Sequence, residues 1–174
     1  MTLVSDYLKT TNPTTAENDL VPSERVWDIL KSIDIGMLVT TSESGLRGRP
    51  MSTIPTPGKG VIYILTESTS SAALDIGRVG DILLSYQGSG DHVALQGKAT
   101  VDPDADLVAQ LWNPGAQIFW PDGPQTHNVV TLVIDPGRAD VWDGHGILRG
   151  FANIVRSAIS GTSPDLGTRG VVDL

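Results

Sequence analysis

Hydrophobic residues change their spacing several times along this chain, and each change marks an element. After the helix-capping start at Ser23-Glu24, Val26, Trp27, Ile29, Leu30 and Ile33 recur at nearly helical period. From Gly36 the pattern becomes that of a strand. Residues 37–41 are β-rich, residues 42–45 read as a turn, and Leu46 opens the second arm of a hairpin. Residues 46–54 alternate: Leu46, Pro50 and Ile54 point one way, and Arg47, Arg49, Met51 and Thr53 the other. Further strands are predicted at 61–66, 81–86, 92–101, 128–134 and 138–143, the last two folded around Asp135-Pro136-Gly137 as a turn. Short helices are predicted after Ser71 (Ala72, Ala73, Leu74, Ile76), over 104–112, and over 150–161, where Phe151, Ile154, Val155 and Ile159 recur. Asn113-Pro114-Gly115 stops the second of these, and the tail beyond Gly161 reads as irregular. Six or seven strands, mostly hairpin-linked, favour an antiparallel barrel over a parallel sheet. The expected organisation is a polar arm over 1–22, a barrel domain over 23–145, and a C-terminal helix and tail over 146–174 belonging to the same domain.

Composition removes several functions. The chain holds 12 Lys plus Arg against 20 Asp plus Glu, a formal net charge of −8, which argues against nucleic acid and anionic membranes as partners. It has no cysteine, which excludes disulfides, thiolate metal sites and a cysteine nucleophile. Residues 1–10 have no apolar signal core, and no uncharged apolar run reaches the ~20 residues a bilayer demands; the expectation is a soluble, cytoplasmic protein.

Most short motifs carry no chemistry. Asp102-Pro103-Asp104-Ala105-Asp106 starts like a calcium loop but has Leu107 where glycine is required and Asn113 where glutamate is required. It reads as an acidic turn opening a helix. His92, His127 and His145 lack the spacing of a zinc motif, so no metal site is expected. Gly88-Ser89-Gly90 is not a nucleophile elbow, and Gly144-His145-Gly146 leads into Arg149 where a dinucleotide loop needs glycine. Arg47 and Arg49 are the one compact positive feature. On a strand they share a face about 6.6 Å apart and can grip a phosphate. Thr66, Ser68, Thr69 and Ser70 add hydroxyls before Ser71 at a helix N-terminus, where oriented N–H groups favour anions. Trp112 and Trp120 bracket Asn113-Pro114-Gly115 and can stack on a planar ligand or anchor an interface.

Taken in order, a set of segments carries a resemblance. They are Val26-Trp27-Asp28-Ile29-Leu30, the strand 36–41, Gly45, Arg49-Pro50-Met51, Ile64-Leu65-Thr66 with Ser70, and Leu84-Ser85-Tyr86. Gly97-Lys98-Ala99, Leu111-Trp112-Asn113-Pro114, Trp120-Pro121-Asp122-Gly123-Pro124 and Val141-Trp142-Asp143 follow. Over nearly its whole length the chain resembles the pyridoxamine-phosphate-oxidase-like FMN-binding split barrels, in their general-stress-protein branch. The resemblance implies a mainly β fold, a six-stranded antiparallel Greek-key split β-barrel with flanking helices, that forms a homodimer with FMN (or FAD) at the subunit interface. It implies that Arg49, Pro50, Met51, Ser52 and Thr53 line the flavin. It also places the backbone of Leu65 and Thr66, the Ser70 hydroxyl and the His92 side chain on the cofactor, with the segment from Trp112 to Trp120 supplied by the partner subunit. Arg47 and Ser71 join this set by their own placement.

The chain departs from the family at Ser71 and Ala72, where members carry a polar or basic residue and then a lysine, and at Ile54, a lysine in the oxidases themselves. The C-terminal Arg-x-His of true oxidases is unmatched, so vitamin B6 oxidation is not implied. Three readings stay open: a flavin-dependent oxidoreductase of unidentified substrate, a non-catalytic stress-related binder of flavin or a small ligand, and a barrel that has lost its cofactor.

Overall fold

The computed structural model describes residues 21–88, 90–125, 128–142 and 169–174. The arm expected over 1–22, but for its last two residues, and the helix expected over 150–161 lie outside the described residues. Helix α1 (Ser23–Ser32) buries Val26, Trp27, Ile29 and Leu30, the stripe read from the sequence. Ser23 is its first helical residue and not its cap. Pro22 takes that position and accepts from the amides of Arg25 and Val26 at 3.0 and 3.4 Å.

The chain then runs β1 (Ile35–Ser42), β2 (Gly45–Ser52), β3 (Ile54–Thr56), a 3₁₀ turn (Pro57–Lys59), β4 (Val61–Glu67), α2 (Ser71–Arg78), β5 (Asp81–Gly88), β6 (Asp91–Asp102), α3 (Ala105–Leu111), α4 (Pro114–Phe119), β7 (Val129–Trp142) and β8 (Arg169–Asp173). All paired strands are antiparallel, in the order β2-β1-β5-β6-β7-β4-β3, with β8 added beside β7. The fold is therefore the expected antiparallel split barrel with flanking helices. It has eight strands among the described residues where six were expected, because one run is divided into β2 and β3 and β8 is added. β2 and β3 are one run interrupted at Thr53, yet they stand at opposite ends of the hydrogen-bonded order. At the interruption the Thr53 amide donates to the Asp34 carbonyl at 3.0 Å.

The interior is apolar because strand alternation sends one residue in two inward. Leu38, Ile62, Ile64, Leu84, Leu95, Leu132 and Ile134 are fully buried there, and α1 covers one end with Val26, Ile29 and Leu30. Tyr86 also lies inside. Burial pushes its phenol well above the ordinary range, against a small opposing pull from the neighbouring Thr53 hydroxyl.

Three elements differ from the sequence reading. Asp135-Pro136-Gly137 is not a turn but the middle of the continuous strand β7. The register of β6 against β7 slips between Gln96 and Gly97, which puts Gly97 opposite Pro136. Proline has no N–H for a ladder and is tolerated at such a bulge. Below it, residues 129–134 pair with β4; above it, residues 138–142 pair with β8. Asn113-Pro114-Gly115 does end α3, but Asn113 also caps the unexpected α4, its side-chain oxygen accepting from the Ala116 amide at 3.0 Å with Pro114 as a first-turn residue. The tail read as irregular contains β8. Asp104 caps α3 through the Asp106 amide at 2.9 Å, and Asp102 accepts from the Asp104 amide at 2.9 Å, so this acidic turn is indeed a helix start. Among the described residues, no helix is long and apolar enough to cross a membrane.

Gly97 tests the bulge directly. A Cβ there would lie 2.4 Å from the Asp135 carbonyl oxygen, against backbone that has nowhere to move. Gly97→Ala should lower the unfolding free energy by about 2 kcal/mol or more, read from the shift of the denaturant midpoint. Gly58→Ala, where a Cβ meets nothing within 4 Å, is the control and should stay within about 1 kcal/mol of wild type.

Candidate functional site

The break at Thr53 opens a cavity of about 230 Å³. Its first wall is the end of β2 and the start of β3: Pro50, Met51, Ser52 and Ile54. The second is Leu65 and Thr66 of β4, and the third is α4 with its flanks: Asn113, Gly115, Ala116, Phe119 and Trp120. The lining is predominantly apolar and holds no titratable side chain. Trp120 packs at 5.9 Å between ring centroids from Trp112 and 6.1 Å from Phe119, and its indole N–H donates to Glu67 Oε1 at 3.3 Å. Trp112 is held in turn by Gln117, accepting from its indole N–H at 2.9 Å. These bonds fix the Trp120 plane as one side of a slot that suits a flat, largely apolar ring.

Arg47 and Arg49 alternate onto one face of β2 as read, but their surroundings divide them. The Arg49 guanidinium reaches under β1 and donates through Nη2 to Asp75 Oδ2 and to Thr40 Oγ1, both at 2.9 Å, while Thr40 Oγ1 donates to the same carboxylate oxygen at 2.8 Å. Asp75 is 3% exposed, and its other oxygen accepts from Arg78 at 3.3 Å. Burial alone would raise this carboxyl. Hydrogen bonds from Arg49 and Thr40, and the charges of Arg49 and Arg47, outweigh burial and hold it below the ordinary carboxylate value. Arg49 Nη1 is buried with no hydrogen-bond partner. Arg47 remains exposed and lines a second, charged cleft of about 520 Å³ with Ser71, Asp75, Arg78 and the β1–β2 turn.

The other sequence candidates fall on both sides of this arrangement. Pro50, Met51, Ser52, Leu65, Thr66 and Trp120 meet in the cavity, so the chain's own 113–120 segment, expected from a partner subunit, walls it here; Arg47 and Ser71 meet in the charged cleft. Ser70 lies between them on the β4–α2 loop, where its hydroxyl accepts from the Ala73 amide at 3.1 Å as the cap of α2. Thr53 is buried and turned inward, and Trp112 supports Trp120 from behind. His92 stands on β6 opposite Trp142, three strands from β2 in sheet order, or about 14 Å at the usual spacing. Ala72 is buried in the core, so the residue at this place cannot present a side chain to the cleft without moving.

Sequence reasoning missed, above all, Asp75; it marks Ile54 only as a position where the oxidases carry lysine, and Asn113 and Phe119 only as part of the Trp112–Trp120 segment. The signal for Asp75 was available: a carboxylate between the buried Ala72 and Ile76 of one helix implies a partner inside.

A family model described as pyridoxamine 5'-phosphate oxidase like matches residues 22–165. No curated protein matches the sequence. Solved structures share the fold. General stress protein 26 of Jannaschia sp. CCS1 superposes with a TM-score of 0.71 at 20% identity, covering 87% of this chain and 98% of that one. General stress protein 26 of Bacillus anthracis str. Sterne gives 0.60 at 21% identity, covering 68% and 91%. The general stress FMN/FAD binding protein of Xanthomonas citri gives 0.61 at 25% identity, covering 70% and 87%.

The Asp75 network makes a pH-dependent contribution whose sign is set by its lowered pKa. Stability from this group is complete above the unfolded value near ~3.9 and is lost as pH falls through the lower folded value. Asp75→Asn should therefore cost about 3 kcal/mol at pH 7, because it leaves the Arg49 charge uncompensated in the interior. The deficit should shrink steadily below about pH 4. Urea unfolding of both proteins between pH 7 and pH 3 would read it, and a deficit that stays constant across that range would contradict the assignment.

Proposed function

Because the chain belongs to the pyridoxamine 5'-phosphate oxidase like family, we propose that it is a cytoplasmic flavin-binding homodimer that serves as a flavin-dependent oxidoreductase for a small acceptor. The observation that carries this reading is the slot at the barrel's split, with Pro50 to Ser52 on one side, Leu65 and Thr66 on another, and a fixed indole on the third. The Xanthomonas citri neighbour that shares this fold is an FMN/FAD binding protein. In this reading the isoalloxazine ring occupies the slot. Ser70 and Ser71 on the β4–α2 loop, with Arg47 across the charged cleft, would hold its ribityl tail.

The chain's part is to bind, orient and exclude water. A bound flavin supplies hydride and electron transfer, while the protein sets position and electrostatics. The lining residues offer no acid or base, so Ser52, Thr66 and Asn113 are left to orient the ring by hydrogen bonding. A second copy completes the pocket. The cavity falls below the ~300 Å³ at which ligand sites usually begin, and its α4 wall ends in Ile118 and Phe119, 79% and 72% exposed. Ile35 and Met37, 58% and 43% exposed on β1, extend the apolar surface available to a partner.

Titration with FMN or riboflavin, followed by quenching of flavin fluorescence, should show saturable binding. Trp120→Ala should weaken it about ten-fold, since one stacked aromatic contact contributes ~1–2 kcal/mol. Light scattering at micromolar concentration should give a dimer. A monomer that binds flavin fully would remove the second subunit from the reading, and no flavin binding at all would remove the cofactor.

A further inference from the structure

The strongest unexplained feature is a buried carboxylate, Asp75, on the wall of the charged cleft. Asp75 lies on α2, one turn beyond Ser71, and both of its oxygens are engaged: Oδ2 by Thr40 and Arg49, Oδ1 by Arg78. The helix that carries it is locked to the barrel by Ala72, Ala73 and Ile76 in the core, so the carboxylate cannot swing away. We infer that Asp75 is a specificity-determining residue that occupies the Arg49 guanidinium and makes the site prefer a flavin with an uncharged ribityl end, as in riboflavin, over one ending in a phosphate.

The inference rests on the flavin reading above and deepens it. A phosphate monoester carries about −1.5 to −2 charge and needs cations with free donors around it. Here Arg49 Nη2 is taken by Asp75 and Thr40, and Arg78 bridges Asp75 and Glu43. Arg47 is the remaining cation of the cleft, on its exposed rim. A dianion brought to Arg49 would face the Asp75 carboxylate across a guanidinium, at a buried position where like charges are poorly screened. A hydroxyl has no such conflict. Arg49 Nη1 is itself buried, and Arg49 lines neither the slot nor the cleft, so this cation offers no free donor to an incoming anion. With Arg49 and Arg78 engaged by carboxylates, the site lacks the free cations that a phosphate needs and an uncharged ribityl end does not.

The test compares riboflavin with FMN on the full chain, by fluorescence quenching in low-salt buffer at pH 7.5. Wild-type protein should bind riboflavin at least as tightly as FMN. Asp75→Asn keeps the shape and the bond from Thr40 while removing the charge, and should move the FMN-to-riboflavin affinity ratio toward FMN by about ten-fold or more. Added salt should narrow the difference between the two proteins. FMN binding more tightly than riboflavin to wild type, or a ratio unchanged by Asp75→Asn, would overturn the inference and leave flavin binding standing. Binding of neither flavin to wild type would overturn both. Should Asp75→Asn fail to fold, the wild-type ratio decides the matter alone.

Discussion

One change of partner organises this molecule. The run from Gly45 to Thr56 hydrogen-bonds to β1 before Thr53 and to β4 after it, and it belongs to both ends of the same sheet. The barrel is thus joined there by a covalent chain and not by a ladder. Close to the junction the two halves diverge, and backbone that would otherwise be paired needs other partners; the Thr53 amide finds one in Asp34. The same divergence leaves a gap that strand side chains alone do not fill. Pro50, Met51, Ser52 and Ile54 flank it, and α4 lies across its mouth. The position of the slot follows from the topology; its chemistry follows from what α4 and β4 place around it.

Electrostatics in the interior follow a second logic. A chain with net charge −8 has few cations, and one of them, Arg49, is directed inward and neutralised by a carboxylate from a separate element. Buried ion pairs are poor sources of net stability compared with well-packed apolar groups, because desolvation offsets much of their attraction. What this pair does provide is orientation. It ties α2 to the β1–β2 hairpin through Thr40, Arg49 and Asp75, and it fixes which side of α2 faces the charged cleft. The apolar slot and the charged cleft thereby keep a constant relation across the β4–α2 loop.

Much of this was legible in the residues, and the misses share a cause. The stripe of α1, the hairpin of β1 and β2, the alternation that separates Arg49 from Pro50, and the strands β4, β5 and β6 depend on local periodicity, and local periodicity is written in the sequence. Asp135-Pro136-Gly137 has the composition of a turn, yet pairing with β6, some forty residues earlier, makes it a strand interior in which Gly137 is the extra residue of a bulge. Asn113-Pro114 ends one helix and begins another with the same atoms, so the stop concealed the start. The arginines were found by charge and spacing, but the distribution of their hydrogen bonds was not. That depended on Asp75, which sequence places 26 positions from Arg49 and tertiary packing places against it.

The two halves of β7 also differ in when they can be completed during synthesis. Residues 129–134 meet β4 and β6, both already made, whereas the outer side of residues 138–142 must wait for β8, whose first residue is 169. Until then the upper half of β7 is a bare sheet edge on a nascent chain, the kind of surface that recruits another strand. It is guarded in the ways edges usually are. Pro136 withholds a donor at its base, and Arg138 and Asp140 place opposite charges along it. The proline that interrupts the ladder in the finished barrel is thus also a gatekeeper for the unfinished one.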